Sequence, residues 1–497
     1  MPFLHSLSTQ STKNITLISL MALLLGHLMI TTYVPNLVQN FFGLLITSGF
    51  IYYKTLRRKD LFSFLMVIYF CSFFPYLLAK GGGFNLVAIV CFGLFFISRR
   101  KIPTETKIRD NWFKVFVGLF VLSSILGWIF NYTGNSMDFV YSFLTFFGII
   151  FILLISSSLK ITYERIKIFV QLNIILIIYS TIGSINKYLH ILTFETPMMP
   201  VSGGTKGPFQ GGGTIGISPY YGEYSMVLMI LFVVFFMLDK KPIIKRITLF
   251  AAAFIAFINI FMSISRSVFL LSLAGLSMIF IFQFKLYAVK IQNQFLRILL
   301  LVLFGFSSIA IVNSLGLGYV FTRLDEIQEV NESAGGVSVD RILEGSAFNR
   351  ETAFKIAKER YESKKSWFIG YGWGLTKNNR DAFFINPKIL RTSPHSQIFA
   401  ILFLFGWMGF FAYFGMIIRI IQKSYLTIGN KNLDYTIKVF AFFFMISFIL
   451  FTLNEIKADS LYSPAYFTVT IIWMGLAYST NNSIYHLVLK DYAHASS

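Results

Sequence analysis

Charge is scarce in this chain of 497 residues, where only 13% are Asp, Glu, Lys or Arg. That is about half the share of a typical soluble protein. Acids are scarcer than bases, 22 against 43, which leaves a formal net charge of +21. A chain this poor in charge cannot cover one soluble core with a polar surface, so an ordinary globular enzyme is excluded. Cysteine is almost missing as well. Cys71 and Cys91 both fall in apolar segments and read as small hydrophobes, which leaves no disulfide framework and no cysteine zinc site. The apolar runs are continuous and lack the strict alternation of a membrane β-barrel. Internal repeats between halves and charges near the middle of the runs, the marks of many transporters, are also lacking.

Apolar residues fill the space that charge vacates: 56% of the chain is hydrophobic and 58 residues are Phe. Each apolar run is long enough for roughly 30 Å of hydrocarbon. The fold class is therefore an all-α polytopic membrane protein. About fourteen transmembrane helices are read near 15–33, 37–53, 61–79, 84–98, 112–132, 138–158, 168–186, 222–238, 247–265, 267–284, 296–314, 396–418, 436–453 and 464–480. The first run is followed by many others and reads as the first span, not as a cleaved leader. Basic clusters fall in alternate loops: Arg57 and Arg58, Arg99 and Arg100, Arg165 and Lys167, Lys245 and Arg246, Lys285 and Lys290, Arg419 and Lys423. This is the positive-inside pattern, and it puts both termini in the cytoplasm. Much of the positive charge is then an orientation signal beside anionic lipid, which argues against nucleic acid as a partner.

Two external segments break the compact pattern. Residues 186–221 hold "VSGGTKGPFQGGGTIGISPYY", whose glycines and prolines mark a turn-rich loop. Residues 315–394 are too many for a structureless loop and predict a folded external subdomain. Residues 1–314 then hold spans one to eleven, 395–480 hold spans twelve to fourteen, and 481–497 form a cytoplasmic tail. Inside the subdomain, "NRETAFKIAKERYES" predicts a helix capped by Asn349, with Arg350, Phe354, Ala357 and Tyr361 on one face. A cation in the first turn opposes the helix dipole, so Arg350 points to an anion, or to an ion pair with one of the loop's acids.

Several other residues stand where chemistry is expected. His395 precedes a long apolar run where the large loop re-enters the membrane. With an unperturbed pKa of about 6.5 it is a candidate base, or else an interfacial histidine satisfied by water. Arg266, in "MSISRSVFLL", sits between two spans on the external side and reads as a phosphate clamp or an interfacial anchor. Arg341 and Arg391 are weaker external candidates. Lys206, in "GGTKGPFQGGG", is placed to meet a phosphate unless that stretch is simply a mobile loop. Glu455, in the last external loop "NEIKADSLYSP", is a candidate to orient a base or bind sugar hydroxyls. "WFIGYGWGL" reads as a surface for sugar or lipid, or as a tight turn. Asp325, Glu326, Glu329 and Glu332 are spaced like a solvated helix face, with no histidine beside them, and no metal is expected.

The stretch from His395 to Gly409 resembles a signature of the bacterial O-antigen ligase and polymerase superfamily. That signature is a His followed by Asn, Ser or Gln, nine variable positions and a Gly-x-x-Gly ending, here His395, Ser396, Gly406 and Gly409. "SISRSVFLLSLAGL" resembles the family's Ser-Arg segment opening a span. "NRETAFKIAKERYESKKSWFIGYGWGL" resembles its loop helix and the glycine-rich turn after it, and "KGPFQGGGTIGISPYYGEY" looks like a diverged first external loop. The similarity covers roughly residues 200–420. Two departures stand out: Ala353 or Phe354 replaces the family's usual tryptophan, and Lys206 stands in the loop that usually carries an arginine.

The resemblance implies a GT-C-like architecture and glycosyl transfer at the outer, periplasmic face of the bacterial inner membrane. The donor would be an oligosaccharide on undecaprenyl pyrophosphate, with no metal and no cofactor. Arg266 and Arg350 would meet the leaving pyrophosphate, and His395 would serve the acceptor hydroxyl. The implied reaction is polymerisation of lipid-linked repeat units, assisted by a chain-length-regulating co-polymerase. The alternatives are ligation to lipid A–core and, in another class, flipping of lipid-linked glycans.

Overall fold

The computed structural model describes residues 61–72, 105–131, 136–189, 218–239, 243–263, 265–287, 367–373, 396–455 and 464–482. These residues form ten helices and no strand. In chain order they are α1 (Leu61–Cys71), α2 (Asn111–Asn131), α3 (Ser136–Ser157), α4 (Tyr163–Leu189), α5 (Ser218–Leu238), α6 (Arg246–Met262), α7 (Arg266–Tyr287), α8 (Gln397–Gly429), α9 (Tyr435–Glu455) and α10 (Pro464–Asn482). Each coincides with one of the spans expected from the sequence. The remaining expected spans, near 15–33, 37–53, 84–98 and 296–314, lie outside the described residues. Among the described residues, five helices are long and apolar enough to cross a membrane: α2, α4, α5, α8 and α9.

Helix α5 is the hub. Every residue from Tyr221 to Leu238 is buried, as expected of a helix that is apolar on all sides. Helices α6, α7 and α9 pack on it, and α4 packs on α6. A second group joins through α8, which lies along α2 and touches α9 and α10, while α10 packs on α3. The outward faces stay apolar: Trp112, Ile129 and Phe130 on α2, Leu270 and Ile281 on α7, and Phe411 and Ile418 on α8 are exposed. Large apolar side chains turned outward on these apolar helices are suited to hydrocarbon. The abundant Phe residues fill the interior. Phe120, Phe146, Phe405 and Trp373 interlock with ring centroids 4.3 to 6.1 Å apart.

One end of the bundle is laced by polar contacts. Thr106 at the foot of α2 bonds the Ser158 carbonyl after α3, and Asn482 at the end of α10 bonds the Lys107 carbonyl. Asp110 caps α2, accepting from the Trp112 and Phe113 N–H groups at 3.0 and 3.4 Å. Its other oxygen accepts from Arg419 Nε at 2.7 Å, with Lys423 Nζ at 3.8 Å. Burial opposes ionisation of Asp110, but the Arg419 hydrogen bond and charge, the Lys423 charge and the Phe113 N–H together hold its carboxyl below the usual range. Glu105 receives both guanidinium nitrogens of Arg165, at the start of α4, with Nη2 to Oε1 at 2.8 Å. This is the end where the basic loop residues gather.

Candidate functional site

The opposite end is organised by a break in a helix. The run 396–418 was expected to be a single continuous span. In the structure α8 breaks at Gly406, whose φ of 63° and ψ of −169° are not helical. Such a break frees the last carbonyls of one half-helix and the first N–H groups of the next. Inside a membrane those groups need protein partners. The segment Trp367–Trp373 supplies them. The Tyr371 and Gly372 N–H groups donate to the Phe403 and Leu404 carbonyls at 3.0 and 2.7 Å. The Trp407 and Met408 N–H groups donate to the Trp367 and Phe368 carbonyls at 2.9 and 3.1 Å.

Two glycines make this docking possible. A Cβ on Gly406 would lie 2.3 Å from the Phe368 carbonyl, and one on Gly370, at φ +69°, would lie 2.5 Å from the Leu404 carbonyl. Helix α2 clamps the segment from the other side. Trp128 Nε1 donates to the Trp373 carbonyl and Asn131 Nδ2 to the Gly370 carbonyl, both at 2.6 Å. The Trp373 N–H reaches Ser124 Oγ at 3.1 Å. "WFIGYGWGL" is thus a tight structural turn over Trp367–Trp373, held by backbone at the break and by side chains of α2. Two carbonyls of the first half-helix and two N–H groups of the second are thereby engaged.

Beside the break lies a buried polar cluster. Tyr413, on the second half of α8, donates its hydroxyl to Glu455 Oε1 at 2.6 Å. The Gln397 side chain, at the start of the first half, lies within electrostatic reach of the same hydroxyl. Gln397 and Tyr413 are 16 positions apart, about 24 Å on a straight helix. The non-helical backbone at Gly406 brings them nearer than that. Glu223, in α5, is within electrostatic reach of both Tyr413 and Glu455. All four side chains are buried, with exposures of 0 or 1%. Among the described residues, Glu455 Oε2 has no hydrogen-bond partner. Among the described residues, no group of three or more His, Cys, Asp or Glu side chains is arranged to hold a metal.

The expected site residues relate to this cluster in different ways. Glu455 was expected in the last external loop. It is instead the last residue of α9 and points into the interior. Arg266 is the first residue of α7, and its side chain is outside the described residues. The turn before it packs tightly on α5, since a Cβ on Gly222 would stand 2.4 Å from Ser263 Oγ and 3.6 Å from Ser265 Cβ. The backbone that carries Arg266 therefore starts beside Gly222 and Glu223. His395, Arg350, Lys206, Arg341 and Arg391 lie outside the described residues. His395 immediately precedes Ser396, the extended residue that opens α8. Sequence reasoning missed Glu223, Tyr413 and Gln397. Glu223 carries a usable signal, an acid in the first turns of an otherwise apolar helix, whereas Tyr413 and Gln397 come near each other only across the break.

Residues 251–414 match the family described as O-antigen ligase. That match covers about a third of the chain. The matched residues run from α6 through α7 and the docked turn to the second half of α8, and this stretch is similar to that family. The matched stretch contains both the break and Tyr413, while Lys206 and Glu223 precede it and Glu455 follows it. The resemblance had been read over residues 200–420, so the first external loop falls outside the match. No curated protein matched the chain. Together with the apolar helices, the match supports an integral membrane protein with a role in surface polysaccharide biosynthesis.

Proposed function

We propose that this protein is a metal-independent polymerase of lipid-linked repeat units, acting at the outer face of a bacterial inner membrane. The observation that carries the reading is the match of residues 251–414 to the O-antigen ligase family, a stretch that takes in the broken helix opened by Ser396. The donor is an oligosaccharide on undecaprenyl pyrophosphate. Arg266 and Arg350 bind the pyrophosphate through charge-assisted hydrogen bonds and stabilise the charge that develops as it leaves. Arg341, Arg391 and Lys206 add positive charge around the same lipid head, and Glu455 serves the sugar side. The acceptor hydroxyl of another lipid-linked unit attacks the anomeric carbon and forms the new C–O bond. The old bond to phosphate breaks, its electron pair leaves with the pyrophosphate, and His395 takes the hydroxyl proton. A chain-length-regulating co-polymerase is the expected protein partner.

One observation favours a second reading: the matched family is described as a ligase. In that case the acceptor is lipid A–core and the same residues act on the same donor. Reconstitution with one defined lipid-linked repeat unit separates the two. A polymerase makes a ladder from that substrate alone, whereas a ligase forms product only once lipid A–core is added. In either case His395→Ala should lower turnover by roughly 10²- to 10⁴-fold, the usual share of general-base catalysis. Wild-type turnover in that variant removes the base assignment.

A further inference from the structure

The turn that fills the break lies well inside the length of α2. Helix α2 has 21 residues, about 31 Å, close to the roughly 30 Å of hydrocarbon in one bilayer. It starts next to Asp110 at the basic end, so its last two turns fall in the leaflet away from that end. The docked turn runs along those last two turns. Asn131, the final residue of α2, donates to the Gly370 carbonyl. A Cβ on Gly127 would lie 2.2 Å from the Gly372 nitrogen. Ser124 Oγ receives the Trp373 N–H. Ser124 and Asn131 are 7 positions apart, about 10 Å along the axis. From Gly370 to Trp373 the chain therefore descends by that amount beside α2.

The chemistry of the turn suits that depth. Irregular backbone survives inside a membrane where protein satisfies it. Here the Tyr371, Gly372 and Trp373 N–H groups and the Trp367, Phe368, Gly370 and Trp373 carbonyls all bond protein groups. The side chains left most exposed are large and apolar. Trp367 and Phe368 are each 52% exposed, and Trp407 and Phe411, which follow the break, are 38 and 63% exposed. Trp407 stacks on Phe411 with ring centroids 5.6 Å apart. Ile418 continues this outward face down α8, and Ile129 and Phe130 are exposed on the last turn of α2. Exposed apolar patches mark contact with protein or membrane. The depth beside α2 selects the membrane.

We propose that Trp367–Trp373 is a re-entrant membrane segment, which dips into the leaflet away from the basic end, docks at the broken α8 and presents Trp367 and Phe368, with Trp407 and Phe411, to the hydrocarbon chains of bilayer phospholipids. This holds for a ligase as well as for a polymerase. It moves a part of residues 315–394, expected as an external subdomain, into the membrane. It also gives the break a purpose: the carbonyls and N–H groups freed at Gly406 are what hold a non-helical segment at that depth. In the sequence, Lys364, Lys365 and Ser366 lead into Trp367, and such polar residues suit the headgroup layer.

The test uses the full-length protein reconstituted in vesicles of phosphatidylethanolamine and phosphatidylglycerol. In a background with Cys71→Ala and Cys91→Ala, a nitroxide is attached at Phe368→Cys or, as the reference on the outward face of α8, at Ile418→Cys. Molecular oxygen concentrates in hydrocarbon and a nickel chelate in water, and collisions with each speed the relaxation of the label. At Phe368→Cys the label should meet oxygen more than nickel, as at Ile418→Cys. More nickel than oxygen places the turn in water and overturns the proposal. Little of either means that another part of the protein or a second copy covers the patch, and this also overturns it. Should Phe368→Cys fail to fold, Trp367→Phe in vesicles of chain-brominated phospholipids carries the test. Bromine on the chains quenches indoles that touch hydrocarbon, so Trp367 should already be dark there. The emission lost on Trp367→Phe should then be clear in ordinary vesicles and small in brominated ones, and an equal loss in both overturns the proposal.

Discussion

The two ends of the bundle hold their helices together by different chemistry. At the basic end, acids meet bases: Asp110 with Arg419 and Lys423, and Glu105 with Arg165. At the other end, Glu455 is buried against a tyrosine hydroxyl, with Glu223 beside it, and the backbone of a docked turn completes a broken helix. The first arrangement satisfies its charges locally and asks nothing of a ligand. The second places ionisable groups and a helix break where α7 and α8 begin, next to the chain positions of Arg266 and His395. An ion-pair lattice of the first kind suits stability, whereas buried polar groups on an interrupted helix suit a site. Substitutions at the basic end should therefore move melting and spare turnover, and substitutions at the other end should do more to turnover.

The largest effect is expected at Gly406. In an ordinary helix, Gly→Ala stabilises by about 1 kcal/mol. Here the sign should reverse. A left-handed φ costs an L-residue about 1–2 kcal/mol, and overpacking against the Phe368 carbonyl adds roughly 1–3. Gly406→Ala should then lose roughly 2–5 kcal/mol, the sum of these two costs, and with it nearly all transfer activity. Melting in detergent, followed with the ladder assay, checks both. A variant that melts higher than the wild type would mean that α8 can run straight, and the contrast between the ends would collapse.

That prediction also shows where sequence reading stopped. The positions of the helices were legible because apolar runs and basic loops report on every residue around them. Span ends near α2, α3, α5 and α9 fall within a few positions of the observed ones. The break was not legible. One glycine among "FLFGWMG" leaves mean hydropathy unchanged, and its conformation depends on a turn more than thirty positions earlier, Trp367–Trp373. Gly406 and Gly409 were noticed, but as the ending of the resembled signature. A Cβ on Gly409 would lie 2.0 Å from Phe405 Cβ in the other half of α8 and 3.0 Å from Ser123 Oγ on α2, so that glycine permits close packing, whereas Gly406 interrupts the helix. Glu455 was singled out for its acid character and misplaced by two residues into a loop. Tyr413 gave no sign, because a tyrosine at helical spacing looks like any other interior aromatic.

A smaller effect, opposite in kind, is expected at Asp110. Asp110→Asn keeps the helix cap, since Asn caps as well as Asp, and removes the charge that Arg419 and Lys423 face. A loss of about 1.5–3 kcal/mol is expected, the usual worth of a hydrogen bond to a charged group. Turnover per folded molecule should be unchanged. The pH dependence follows from the lowered value of this carboxyl. A group that ionises more readily in the folded state contributes stability above its unfolded pKa and loses it as pH falls through the folded one. The wild type should therefore lose part of its advantage over Asp110→Asn as pH is lowered below about 4. A constant gap in melting temperature from pH 7 to pH 3 would show that the charge of Asp110 does not carry the effect.

The smallest effect is expected at Glu105, and it sharpens the comparison by separating burial from pairing. Its partner Arg165 is bound through both nitrogens, an ideal geometry, yet the two side chains are 21 and 22% exposed, against 2% for Asp110. Solvent screening should then outweigh geometry. Glu105→Gln should cost only about 0.5–1 kcal/mol and less at high salt. Arg165 also lies over the Phe62 ring on α1 at 5.3 Å. That contact survives Glu105→Gln, so Arg165→Gln should cost more than Glu105→Gln, by about 0.5–1 kcal/mol at an exposed site. The difference should persist in high salt if it comes from the ring and vanish if it comes from the ion pair. Neither variant should alter kcat. If one did, the basic end would be coupled to transfer across the bundle, and the division of labour between the ends would be wrong at the point where it looks safest.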